Sequence, residues 1–218
     1  ICYGPVLSGT SCLYFNRKTL AVLNAPINYG ESKGFLCGLD NLISTIKEQE
    51  IEVANGNFFS SLLVLQDSMR MEYLNMMISM GKPVKDLYKL FIDMYTLGDY
   101  GFSAMTDEAF DNIVASKTES QKKETEAALS GMPDVLTIYR GQTKVGTPIE
   151  KAHSWTLDRN VANFFATRRG HDKAEIITAT VSKKDVVEYI SDRGEAEVLV
   201  RYKDLNIVST TEIYGLET

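Results

Sequence analysis

The chain has 218 residues, 44% of them hydrophobic and 24% charged, and a net charge of −6. That composition supports one large or two small folded domains with real cores and excludes a chain left disordered for want of apolar side chains. The excess acid lies wholly in residues 1–134 while 135–218 are balanced. Neither half therefore carries the basic footprint of a nucleic-acid binder, and the overall acidity weighs against nucleic acid as a partner.

Three cysteines, Cys2, Cys12 and Cys37, give no disulfide framework, and no zinc spacing links them to His153 and His171. No metal is expected, and a reducing, cytoplasmic compartment is the default. The chain has no apolar run long enough to cross a membrane and no basic-then-apolar start of the signal-peptide type.

In chain order, residues 12–27 alternate loosely and read as a short hairpin or as irregular structure. Residues 32–50 place Phe35, Leu36, Leu39, Leu42, Ile43 and Ile46 at helical spacing. Residues 57–80 predict one long helix whose stripe runs Phe58, Leu62, Leu65, Met69, Tyr73, Met76, Met80, stopped by Gly81 and Pro83. The stripe reads as core, with an adaptable Met-rich partner surface as the other reading. A helix follows over 84–97, then a short one opened by Thr106 with Asp107 and Glu108 in its first turn. Residues 118–130 predict an exposed, polar helix ended by Gly131 and Pro133.

After Pro133 the texture changes to strands. Residues 135–139, 154–156, 176–181, 186–190 and 197–202 read as strands, and 158–169 as a helix capped by Asp158 with Val161, Ala162, Phe164 and Phe165 on its buried face. The fold class is α+β. The expected division is a mainly helical region over 1–131, of unknown role, and a strand-rich core over 132–218.

Three pieces of that core carry chemistry. Arg140-Gly141 ends the first strand: the planar guanidinium suits phosphate, and glycine permits close approach to the backbone. Ser154-Trp155-Thr156 puts hydroxyls on alternate residues, facing one side of a strand just before a helix. Glu195-Ala196-Glu197 opens an apolar strand, and a period of two points both carboxylates the same way. Two like charges there are costly unless solvent or a cation relieves them, so the pair is a candidate for acid/base work or for stabilising a cationic transition state. Each piece alone also has an ordinary structural reading: a strand-ending turn, a helix cap, a charged strand rim.

In their order, spacing and context the three pieces resemble the Arg–Ser–Glu class of mono-ADP-ribosyltransferases, which includes bacterial toxins and small bacterial and phage enzymes. The resemblance covers about residues 135–203 and leaves 1–130 without a counterpart. It implies a split, two-sheet core that binds NAD in a cleft, breaks the bond to nicotinamide and passes ADP-ribose to a protein acceptor. Glu197 would be the catalytic glutamate that holds the nicotinamide-ribose hydroxyl, and Glu195 would engage the acceptor. Arg140 would grip NAD phosphate or ribose, and the Gly141 backbone would meet the nicotinamide amide. Ser154 would hold Glu197 and the ribose in position, with Thr156 as a second hydroxyl.

Tyr189 and Arg193, in the stretch that selects the acceptor in that class, would contact it. Glu-x-Glu rather than Gln-x-Glu favours an arginine acceptor. The class also implies an effector acting on a host or competitor protein, in the cytoplasm or delivered into a target cell. An NAD glycohydrolase on the same scaffold and a catalytically inert binding or inhibitor protein are the alternatives. No aromatic residue is placed against nicotinamide.

Overall fold

The computed structural model describes residues 2–5, 11–26, 32–98, 102–143, 146–168, 173–191 and 194–214. Arg193 and His171 fall outside this set. The chain divides into two compact units, Ile1–Ser116 and Lys117–Thr218. The polar helix expected to close the N-terminal region is therefore counted with the second unit.

In the first unit, β1 (Cys2–Pro5), β2 (Ser11–Phe15) and β3 (Val22–Pro26) form an antiparallel sheet in sequence order. The hairpin reading of 12–27 is the one that holds, with Phe15 opposite Val22. Its turn is built by Asn16, whose side-chain oxygen accepts from the Lys18 and Thr19 amides at 2.9 and 3.3 Å. Leu20 in that turn adopts φ +66°, a strained value for a branched side chain. The Tyr73 hydroxyl donates to the Leu20 carbonyl, and burial pushes the Tyr73 phenol up.

Helix α1 (Ser32–Ala54) matches the expected periodic segment. The long helix expected over 57–80 is two helices, α2 (Phe59–Leu63) and α3 (Asp67–Ser79). Gln66 is extended at ψ 147°, and Arg70 spans the break: its Nε donates to the Leu62 carbonyl at 3.1 Å and its Nη1 pairs with Asp67 at 2.7 Å. The break changes which residues face inward. Met71, Leu74 and Met77 are fully buried, while Met69 and Met80 of the expected stripe are exposed.

Helix α4 (Leu87–Leu97) buries Leu90, Phe91 and Met94, and α5 (Asp107–Ala115) buries Phe110 and Ile113. The Thr106 hydroxyl caps α5 by accepting from the Ala109 amide at 3.2 Å, as expected.

The second unit opens with α6 (Glu119–Ala128), entered through a reciprocal capping box between Thr118 and Gln121. Then follow β4 (Val135–Thr143), β5 (Ser154–Thr156), α7 (Arg159–Thr167), β6 (Lys173–Ser182), β7 (Glu188–Ile190), β8 (Glu197–Leu199) and β9 (Leu205–Tyr214). The strands make one antiparallel sheet in the order β7-β8-β5-β4-β6-β9. Its apolar face gathers Leu136, Ile138, Trp155, Ile177, Ala179, Val181 and Val198, with Leu129 from the end of α6.

Strand β9 has no counterpart in the sequence reading. It pairs along most of β6 but is largely exposed, so polar Ser209, Thr210 and Thr211 stand where apolar residues would signal burial. The β-branched run Ile207-Val208-Ser209-Thr210-Thr211 is the signal that remains.

Lys117 explains why α6 is counted with the sheet. Its buried ammonium donates to the Val187 carbonyl at 2.7 Å and to Thr125 Oγ1 at 2.5 Å, and lies 3.4 Å from Glu188. Thr125 in turn donates to the Glu188 carboxylate at 2.8 Å. Burial pulls the Lys117 pKa below the ordinary lysine range, opposed by the neighbouring charge of Glu188. Lys117→Ala, which removes the cation beside Glu188 and the ammonium donor to the Val187 carbonyl, is expected to destabilise the second unit by about 2 kcal/mol, read as a lowered denaturant midpoint at unchanged slope.

Candidate functional site

Of the residues singled out in the sequence, Arg140, Gly141, Ser154, Thr156 and Glu197 lie on the inner strands β4, β5 and β8 of the second unit. Strands β4 and β6 pair from Val135↔Ser182 to Thr143↔Ala174, whereas β4 and β5 pair at Tyr139↔Thr156. Beyond that pair β4 continues without β5 as a ladder partner among the described residues. Arg140, the next residue along, bridges the opening: its Nη1 donates to the Ser154 carbonyl at 2.8 Å.

On the other side of β5, β8 pairs Ser154↔Leu199, Trp155↔Val198 and Thr156↔Glu197. Directly opposed residues project to the same face, so Ser154, Thr156 and Glu197 share one. The Ser154 hydroxyl donates to the Glu197 carboxylate. Glu197 is 5% exposed, and a carboxylate so enclosed needs such a donor. Arg140, Ser154 and Glu197, separated by 14 and 43 positions, are thus joined through Ser154.

Glu195 is placed differently from the expectation. The strand starts at Glu197, and Ala196 has φ +44° after Gly194 at φ +68°. These left-handed residues break the extended alternation, so a period of two does not carry from Glu197 back to Glu195. Glu195 lies half-buried in the bend that leads into β8.

Thr156 holds that bend. Its hydroxyl donates to the Glu195 carbonyl at 2.5 Å and accepts from the Asp158 amide at 3.0 Å, and the Leu157 amide donates to the Ala196 carbonyl at 3.0 Å. Expected to serve NAD, this hydroxyl is already engaged with the backbone on both sides. Thr156→Val keeps the shape and removes both bonds. It should cost about 1–2 kcal/mol of stability and lower transfer to an acceptor more than it lowers NAD binding, a difference that paired titration and turnover assays would register.

The need for glycine at 141 also has a structural cause. A Cβ there would stand 1.7 Å from the Ala162 carbonyl oxygen and 2.8 Å from the Ala166 amide, so α7 lies directly on β4. Asp158 caps α7 as expected, accepting from the Asn160 amide at 2.8 Å. The buried residues of α7 are Ala162 and Ala166. Phe164, expected in the core, is 59% exposed, because the close approach at Gly141 selects the small residues for the inner face. It meets Phe165 edge-on at 5.6 Å, and the Arg168 guanidinium sits 4.4 Å from the Phe165 ring centre. Tyr189, a candidate acceptor contact, lies on β7 opposite Val198 and packs against the core.

Two residues of the site are absent from the sequence reading. Gln142 accepts from Arg140 Nε at 3.2 Å and donates from Nε2 to Glu175 at 2.8 Å. The signal was available: Gln142 lies two residues beyond Arg140 on one strand, which puts both on one face. The role of Glu175 depends on the register Gln142↔Glu175, which no local pattern specifies.

Among the described residues no group of His, Cys, Asp or Glu could hold a metal ion, and no helix is long and apolar enough to cross a membrane.

Comparison with known proteins adds little. No family model matches the chain, and no solved structure does. A segment of 78 residues, 35% of the chain, is 32% identical to protein translocase subunit SecA of Burkholderia orbicola, and the same holds for SecA of Burkholderia cenocepacia and of Paraburkholderia phymatum. The match spans 8% of those proteins' length.

Proposed function

We propose that residues 117–218 form an NAD-dependent mono-ADP-ribosyltransferase with a protein acceptor, arginine favoured, and with Glu197 as the catalytic carboxylate. The observation that carries the reading is the pair of bonds that links three adjoining strands beside the place where β4 and β5 part: Arg140 on β4 to the Ser154 carbonyl on β5, and the Ser154 hydroxyl to Glu197 on β8. The resemblance implies a split, two-sheet core, whereas these strands form one six-stranded sheet joined at Tyr139↔Thr156; the opening beyond that pair is where an NAD cleft would lie.

NAD supplies the reaction with a positively charged nicotinamide leaving group. The bond between ribose C1′ and the nicotinamide nitrogen breaks, its electron pair leaves with nicotinamide, and C1′ becomes oxocarbenium-like. A carboxylate held still beside the ribose stabilises that developing cation without reorganising as it forms. Ser154 does the holding, and Glu197 accepts from the ribose hydroxyl. Arg140 has the charge and fork geometry for the NAD phosphates or ribose. The acceptor nitrogen attacks C1′ and its proton passes to Glu195, whose position in the bend leaves it outside the strand ladder.

Incubation of the chain with labelled NAD and a cell lysate should mark discrete proteins and release nicotinamide in equal amount. Nicotinamide release without a labelled macromolecule would assign the site to NAD hydrolysis. Absence of both would remove the enzymatic reading and leave a binding protein.

A further inference from the structure

We infer that Gln142 is a positioning residue that fixes the direction of the Arg140 guanidinium, with Glu175 locking the Gln142 amide so that its oxygen faces Arg140. The inference rests on the reading of Arg140 as the NAD-binding cation.

An amide side chain can present either its oxygen or its NH2 to a neighbour, and contacts alone decide which. Here both neighbours decide the same way. Glu175 offers a carboxylate oxygen at 2.8 Å, which only the NH2 of Gln142 can satisfy. Arg140 offers Nε–H at 3.2 Å, which only the amide oxygen can accept. The order of donation is therefore Arg140 Nε to Gln142, and Gln142 Nε2 to Glu175.

At its other end Arg140 donates Nη1 to the Ser154 carbonyl at 2.8 Å. A planar guanidinium held at Nε and at Nη1 has little freedom to rotate. Ser154 is the residue whose hydroxyl meets Glu197. The chain of bonds from Glu175 thus sets the distance between the cation and the catalytic carboxylate before any ligand arrives. Gln142, Arg140 and Glu175 are all half-buried, so solvent competes weakly for these bonds.

The reversal of polarity makes the idea testable. Gln142→Leu removes the side-chain oxygen that accepts from Arg140 Nε. Glu175→Gln alone releases the amide to flip. The double variant Q142E/E175Q restores the same order: the carboxylate at 142 accepts from Arg140 Nε and from the amide at 175. Dissociation constants for NAD should be measured for these variants and the wild type, with Arg140→Lys as a reference. The Arg140 Nε–H resonance, assigned by its absence in Arg140→Lys, should be followed in each without NAD.

The expected result is an affinity loss of about 10-fold in Gln142→Leu, with kcat changed about twofold or less, because a positioning residue acts on binding. The Arg140 Nε–H should exchange faster in that variant. Both changes should reverse in the double variant. NAD affinity in Gln142→Leu equal to wild type, unaltered exchange, or a double variant as weak as Gln142→Leu would each overturn the role of Gln142 and leave the NAD reading standing. A wild-type chain with no NAD affinity would instead overturn that reading, and the function of the network with it, while the exchange data still report whether Gln142 orders Arg140.

Discussion

Replacing Glu197 by glutamine is expected to lower nicotinamide release from NAD by about 10³-fold while the fold survives, since groups placed to stabilise transition-state charge contribute on that scale. Glutamine keeps the size of the side chain and an oxygen able to accept from the Ser154 hydroxyl. What it removes is the negative charge that the proposed reaction uses beside C1′. Because the site is 5% exposed at Glu197, water does not replace that charge. The cleavage rate should therefore fall while NAD affinity changes little, as for a group whose interaction strengthens only as the cation develops. Thermal unfolding of the variant checks that the fold is retained. Cleavage at an undiminished rate in the folded variant would sink the assignment of Glu197.

Gly141→Ala should be the most damaging substitution of a single small residue in the second unit. One methyl group added there would overlap the Ala162 carbonyl oxygen at 1.7 Å, and the neighbours are helix backbone that cannot swing aside. Helix α7 must move off β4. Overpacking of this kind costs about 3 kcal/mol or more, equivalent to a fall of roughly 15 °C in the melting temperature of a unit of this size. Displacement of α7 would also pull on Asp158, and through its amide on Thr156 and the Glu195 bend. The melting temperature and the NAD affinity of Gly141→Ala should therefore fall together. A variant as stable as wild type would mean that α7 does not need contact with β4.

The helices with strong local signals are legible in the sequence. Thr106 marks the start of α5 and Asp158 that of α7, because a cap is made within a few residues. The helical stretch over 57–80 is misread for a related reason. Its apolar spacing continues through the break, where Gln66 is extended and Arg70 donates to the Leu62 and Leu63 carbonyls. Strand β9 is nearly silent, because an exposed edge strand needs no apolar alternation.

The candidate site divides along the same line. Sequence by itself determined which chemical groups the second unit has and in what order: a guanidinium at 140, hydroxyls at 154 and 156, carboxylates at 195 and 197. Residue type and strand periodicity are local properties, and they suffice for that. Only the tertiary structure decided how the groups are placed. The register Thr156↔Glu197 brings Ser154 to Glu197 across 43 positions, and a slip of one residue would turn Glu197 to the other face. The left-handed turn at Ala196 separates Glu195 from its expected place, and the approach of α7 explains Gly141. Pairing register and helix approach are set by packing among distant segments, where no short run of sequence holds the information.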